Sequence, residues 1–152
     1  MPTTLDETRL GQAVVAPPEG PPDSPLEVVV LHTTTKGTLQ ALKTAACIAQ
    51  GLAAQIRLLV PQIVPYPLPL ESPAIPKEFT ERRFRTVASE ATVETYIDIR
   101  LCRDRWALLE SALKPRSLVV LSGRRSWWPT SESRLAGRLQ RLGHQVVFAD
   151  LT

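Results

Sequence analysis

Two stretches of this chain hold residues able to do chemistry on a ligand. The first, Ser122-Gly123-Arg124-Arg125-Ser126-Trp127-Trp128-Pro129-Thr130-Ser131, joins an apolar run to a helical one. Backbone N–H groups at a helix start point outward without intrahelical partners and attract anions. Thr130 and Ser131 add hydroxyl donors and Arg124 and Arg125 add charge, while Trp127 or Trp128 offers a face for a base to stack on. That set suits a phosphate group with a base stacked beside it. A plainer use of the two tryptophans is to cover the end of a sheet or a protein partner's surface. The second stretch, His32-Thr33-Thr34-Thr35-Lys36-Gly37, places an imidazole near an amine. His32 could serve as a general base on a phosphorylated small molecule, or simply be a hydrogen-bonded histidine at a strand end. His144 is the only other histidine, and no Ser-His-Asp order, carboxylate pair or metal cluster stands out. Arg134, Arg138 and Arg141 recur at helical spacing opposite Leu135, Leu139 and Leu142, which reads as a solvated outer face or an anion patch.

The elements that must position these stretches follow from hydrophobic period. Leu26–Leu31 and Ser117–Leu121 are apolar runs of the kind buried on both faces of a parallel sheet. Leu39, Leu42, Ala46, Ala49 and Ala53 mark a helix that Gly51 brings near its end. Ile56–Ile63 is a second strand in which Pro61 should end or loosen the ladder. Prolines 65, 67, 69, 73 and 76 then punctuate an irregular crossing. Lys77–Glu90 is a charged helix with Phe79, the Arg83 stem and Val87 as its inner face, and possible Glu78–Arg82 and Glu81–Arg85 pairs. Val93–Leu101 alternates, so one face should be wet and the strand should lie near an edge. Asp104 caps a helix carrying Trp106, Leu109 and Leu113 that Pro115 ends. Thr130 or Ser131 caps the last helix, Gly143 stops it, and Gln145–Ala149 is the final strand.

Five strands alternating with four helices predict a three-layer α/β/α sandwich, its parallel sheet ordered 3-2-1-4-5. That order puts the switch point, where open sheets bind ligands, between Thr33–Gly37 and Gly123–Pro129. Residues 1–25, rich in proline, read as a flexible tail before a single domain over 26–152.

The net charge of +3 is divided, −3 over residues 1–25 and +6 over the rest. A modestly basic body suits phosphate-bearing ligands and falls short of a nucleic-acid footprint. No apolar run approaches the ~20 residues of a membrane span. The N-terminus lacks a signal peptide's basic and apolar segments, and Cys47 and Cys102 read as buried free thiols. A cytoplasmic location is expected.

Arg103-Asp104 followed by Leu108-Leu109-Glu110, and then Ser117-Leu118-Val119-Val120-Leu121-Ser122-Gly123, resembles the universal stress protein family. There an acidic helix start precedes Ile-Leu-Glu, and the next strand reads Ala-Asp-Leu-Ile-Val-Met-Gly. The resemblance runs over about Leu26 to Asp150. It implies a non-catalytic regulatory protein that dimerises through its last strand, with Val146 and Phe148 at the interface. Nucleotide-binding members carry Asp at the end of the first strand, where His32 stands here. They also carry Gly, two residues, Gly, nine residues, then Gly-Ser or Gly-Thr. Gly123 matches the first glycine, Ser126 stands at the second, and Thr130-Ser131 at the last pair with a shortened loop. The resemblance therefore implies weak or lost ATP binding, with ATP or AMP and Mg held if at all by His32, Thr33, Gly123, Arg124, Ser126, Thr130 and Ser131.

Overall fold

The computed structural model describes residues 26–91, 93–124, 127 and 129–150. The Pro-rich segment 1–25 lies outside them, as do Arg125, Ser126 and Trp128. The elements alternate: β1 Glu27–Leu31, α1 Thr35–Leu52, β2 Gln55–Ile63, α2 Lys77–Ala88, β3 Thr95–Cys102, α3 Arg105–Ala112, β4 Leu118–Gly123, α4 Ser131–Arg141 and β5 Gln145–Asp150. All pairings are parallel and the sheet runs β3-β2-β1-β4-β5, the expected order.

Each strand interior presents alternate residues to two helical layers. Val28, Val30, Ile56, Leu58, Ile97, Ile99 and Val120 pack under α1 and α2, against Leu42, the Ala41/Ala45/Ala49 stripe, Phe84 and Val87. Small residues on α1 let its axis lie close on the sheet. Val29, Leu31, Leu59, Val119 and Leu121 face α3 and α4, meeting Leu109, Leu135, Ala136 and Leu139. Covering both faces explains why β1 and β4 are unbroken apolar runs.

Helix ends follow their capping residues. Thr34 accepts from the Gly37 N–H at the start of α1, and Asp104 Oδ2 accepts from the Ala107 N–H at 3.0 Å for α3. Gly143, at φ 97°, turns the chain out of α4. Ala53 does not extend the apolar face of α1 as its spacing suggested; it is the left-handed C-cap, at φ 52°.

Several packing expectations are corrected by the structure. Pro61 does not end β2, because it remains in register with Arg100 of β3. Leu59 accepts from the His32 N–H on the β1 side. Two residues on, the missing Pro61 N–H faces that same side, beyond the end of β1, where no ladder bond is lost. Phe84, not Phe79, anchors α2, and Phe79 is exposed. Glu81–Arg85 pairs at 2.7 Å, whereas Glu78–Arg82 does not form and Arg82 lies over Phe79 instead. Leu142 is exposed past the last buried turn of α4, and Cys47 is exposed while Cys102 is buried. β3 is an edge strand as expected, yet its second face is not wet. Asp98 there is 2% exposed and meets an equally buried Arg57 from β2.

Among the described residues no helix is long and apolar enough to cross a membrane, and no group of His, Cys, Asp or Glu could hold a metal ion.

Candidate functional site

The strand order reverses between β1 and β4, and the chain segments leaving them meet there. Thr33 donates its hydroxyl to the Ser122 carbonyl at 3.1 Å, tying the end of β1 to the end of β4. Gly37, in the first turn of α1, is the close approach. A methyl group added to it would stand 2.8 Å from Thr33 Oγ1 and 3.4 Å from the Ser122 carbonyl oxygen. The first turn of α1 thus sits directly against the carboxyl end of β4, and the Ser122 hydroxyl is buried beside it without a hydrogen-bond partner.

On the other side of β4 a capping box satisfies two N–H groups at the start of α4. Thr130 Oγ1 accepts from the Ser133 N–H at 3.1 Å, and Ser133 Oγ accepts from the Thr130 N–H at 2.9 Å. This capping box occupies donors that an anion would otherwise use. Ser131 gives its hydroxyl to Glu132 Oε2 at 2.5 Å. Glu132 itself lies over Gly123: a methyl group there would stand 2.9 Å from Glu132 Cβ and 2.9 Å from Phe148 Cζ. Of the expected ligand residues, Thr33, Gly123, Thr130 and Ser131 are all at this end of the sheet, Arg124 is exposed, and Ser126 lies outside the described residues. A carboxylate in the first turn of α4, beside the only matching glycine, offers an anion repulsion rather than attraction.

Open space lies to the other side of His32. A cleft of about 290 Å³ runs between the carboxyl end of β2, the 64–76 crossing and α2, walled by Pro61, Ile63, Ile75 and Phe84 with His32, Gln62, Thr80 and Arg83. Arg103 fixes the crossing by donating to the Val64 and Leu68 carbonyls at 2.9 and 2.8 Å, its guanidinium 4.2 Å from the centre of the Tyr66 ring. Gln62 Nε2 donates to the Ile75 carbonyl at 2.7 Å. Arg83 reaches Thr35 Oγ1 at 2.9 Å, linking α2 to the start of α1.

His32 Nδ1 is hydrogen-bonded to Thr38 Oγ1 at 2.7 Å, and the same hydroxyl lies 2.7 Å from the Thr34 carbonyl, which ties the imidazole to the first turn of α1. Burial first, then the charges of Arg83 and Arg105, hold the imidazole pKa down to about 4, so the ring is neutral at physiological pH. Its edge-to-face contact with Phe84, centroids 4.7 Å apart, fixes the ring plane. Lys36 is exposed. His144 is committed elsewhere, its Nδ1 accepting from the Ser117 N–H at 3.1 Å.

Gln62 and Phe84 escaped the sequence reading. Gln62 follows a proline that suggested the end of the strand, and Phe79 competed with Phe84 for the same helical face.

No family model matches the chain, and no curated protein matches it. The solved structures it is similar to include a universal stress protein in complex with cAMP. The two share 17% identity and a TM-score of 0.54 over 86% of this chain and all of that one. What they share is the doubly wound fold. In fold this chain is universal-stress-like.

Proposed function

We propose that this is a non-catalytic, universal-stress-like regulatory protein of the cytoplasm, a homodimer through β5, with weak or lost ATP binding. The observation that carries the reading is the Glu132–Gly123 contact. It places a carboxylate and a self-satisfied capping box where the phosphates of a nucleotide would approach α4. The likeness in fold to a protein solved with cAMP supports a ligand-binding ancestry. His32, Thr33, Gly123, Arg124, Ser126, Thr130 and Ser131 remain the residues through which any residual nucleotide contact would be made. Burial lowers the basicity of His32, its Nδ1 is taken up by Thr38, and no carboxylate among the described residues orients it, which favours binding over general-base catalysis.

Calorimetric titration with ATP, AMP and cAMP, with and without Mg, tests the reading, with tryptophan fluorescence followed in parallel. The expected result is no heat below millimolar ATP. Micromolar ATP binding would overturn it, as would hydrolysis that disappears in His32→Ala.

A further inference from the structure

The cleft beside His32 is cationic along α2 and apolar elsewhere. Among the described residues no carboxylate lines it, and its one lining guanidinium, Arg83, has no acidic partner. That guanidinium is held in place: Nη2 donates to Thr35 Oγ1 at 2.9 Å, and its carbon lies 5.6 Å from the centre of the Phe84 ring. Arginine carries several N–H donors in a fixed fork, so the bond to Thr35 leaves others to offer. Thr80, one turn earlier on the same face of α2, adds a hydroxyl. Burial first, and then the charges of Arg83 and Arg105, depress the His32 pKa, so the potential at this end of β1 is positive. Opposite stand Pro61, Ile63, Pro65 and Ile75. Ile63 is 48% and Ile75 54% exposed, two large apolar side chains left open to solvent at the same cleft.

We propose that this cleft binds a small monocarboxylic acid with an apolar body, its carboxylate on Arg83 and Thr80 and its body against Ile63 and Ile75. The planar guanidinium matches a carboxylate in shape, and charge-assisted bonds of this kind are the strong ones. Anchoring by Thr35 and Phe84 sets the fork before a ligand arrives, which lowers the entropic cost of binding. One guanidinium balances one negative charge. A phosphate monoester carries about −1.5 to −2 at neutral pH and would leave charge unbalanced beside an apolar wall. The space, about 290 Å³, is at the lower end for ligand sites and suits an occupant of about one aromatic ring with its carboxylate. Glu132, which lies over Gly123, is not among the walls, so the carboxylate that disfavours anions at α4 is not met here. The proposal goes beyond the functional reading and does not rest on any affinity for nucleotides.

The test uses three probes that share one ring and differ in charge: benzoate, benzyl alcohol and phenyl phosphate. Each is titrated into the full-length protein while the Arg83 Nε–H and the Ile63 and Ile75 methyl signals are followed by NMR. Benzoate should shift these signals with a millimolar Kd, and the alcohol and the phosphate should bind at least tenfold more weakly. Arg83→Gln should weaken benzoate tenfold or more. Arg82→Gln, which removes a neighbouring charge that lies over Phe79 instead, should leave it unchanged. Equal or tighter binding of the alcohol or the phosphate overturns the proposal, as does a benzoate response that maps elsewhere or is absent. An equal loss in the two arginine variants also overturns it, since that would be a general attraction of anions to a basic surface. The three-probe comparison is made within one unaltered protein, so it stands even where a variant folds poorly. ATP binding in the calorimeter would undo the functional reading while leaving this result untouched.

Discussion

Arg57 and Asp98 face each other from adjacent strands with the guanidinium Nη2 2.6 Å and Nε 2.9 Å from one carboxylate oxygen, each residue 2% exposed. Nη1 of the same guanidinium donates to the Ala112 carbonyl at 3.2 Å, in the last turn of α3, a helix with no basic residue of its own there. The second Asp98 oxygen accepts from Arg100 at 3.1 Å. One arginine therefore joins β2, β3 and the carboxyl end of a helix, where a positive charge is favourable.

Removing one member leaves the other buried with a poorer partner, Arg57 with Glu27 at 3.7 Å or Asp98 with the partly exposed Arg100 at 3.1 Å. Asp98→Asn or Arg57→Met should each cost about 3–5 kcal/mol in urea unfolding. The double variant Arg57→Met/Asp98→Leu should recover most of that loss. A single variant within ~1 kcal/mol of the parent would mean that water reaches the pair.

His32 makes stability depend on pH in one direction. Its pKa is about 4 folded and 6.5 unfolded, so between those values the unfolded chain binds the extra proton. Its contribution is complete above about pH 6.5 and is lost as pH falls toward 4. Allowing for solvent that reaches the ring, the change should be roughly 1–2 kcal/mol. His32→Gln should flatten the stability curve over that window, and an unaltered slope would assign it to other groups.

Gly123 is needed for space, not for its backbone angles. Gly123→Ala drives a methyl group against Glu132 and Phe148, which should cost about 1–3 kcal/mol. Glu132→Gly in the same chain should return part of it. A fully stable Gly123→Ala protein would show that α4 rides freely on the end of β4.

The outer edge of β5 tests the proposed dimer. Gln145 N–H donates to Ser117 on the β4 side, so the Val146 N–H, one residue on, points away from the sheet. Val146 and Phe148 turn their side chains to the α3–α4 layer. Pairing through this strand would therefore use their backbone groups. Val146→Pro should raise the dimer dissociation constant at least tenfold by sedimentation equilibrium and leave the circular dichroism spectrum unchanged.

The fold was legible because its signals are local and redundant. Apolar runs at Val28–Leu31 and Leu118–Leu121, a cap at Asp104 and a stop at Gly143 each name an element without reference to the others, and the alternation reduces the strand orders to few. The site was less legible because it depends on side chains that pair across the sheet. Arg57 looks like an interruption in a buried strand until Asp98 is placed beside it. Asp98 reads as one solvent-facing step of an alternating strand until α3 covers that face. Glu132 is an ordinary first-turn acid in sequence, and its position over Gly123 emerges only when β4 and α4 are joined.

β1 ends at Leu31, level with Leu59, whereas β2 continues to Ile63. The final four residues of β2 consequently hang from β3 by a single ladder, outside the double-sided pairing of the sheet centre. Amide protons of Val60, Gln62 and Ile63 and along Ile99–Cys102 should exchange with deuterium well before those of Val28–Val30. This two-stranded ribbon forms one wall of the cleft beside His32, so its opening would change the width of the cleft while the centre of the sheet stays folded.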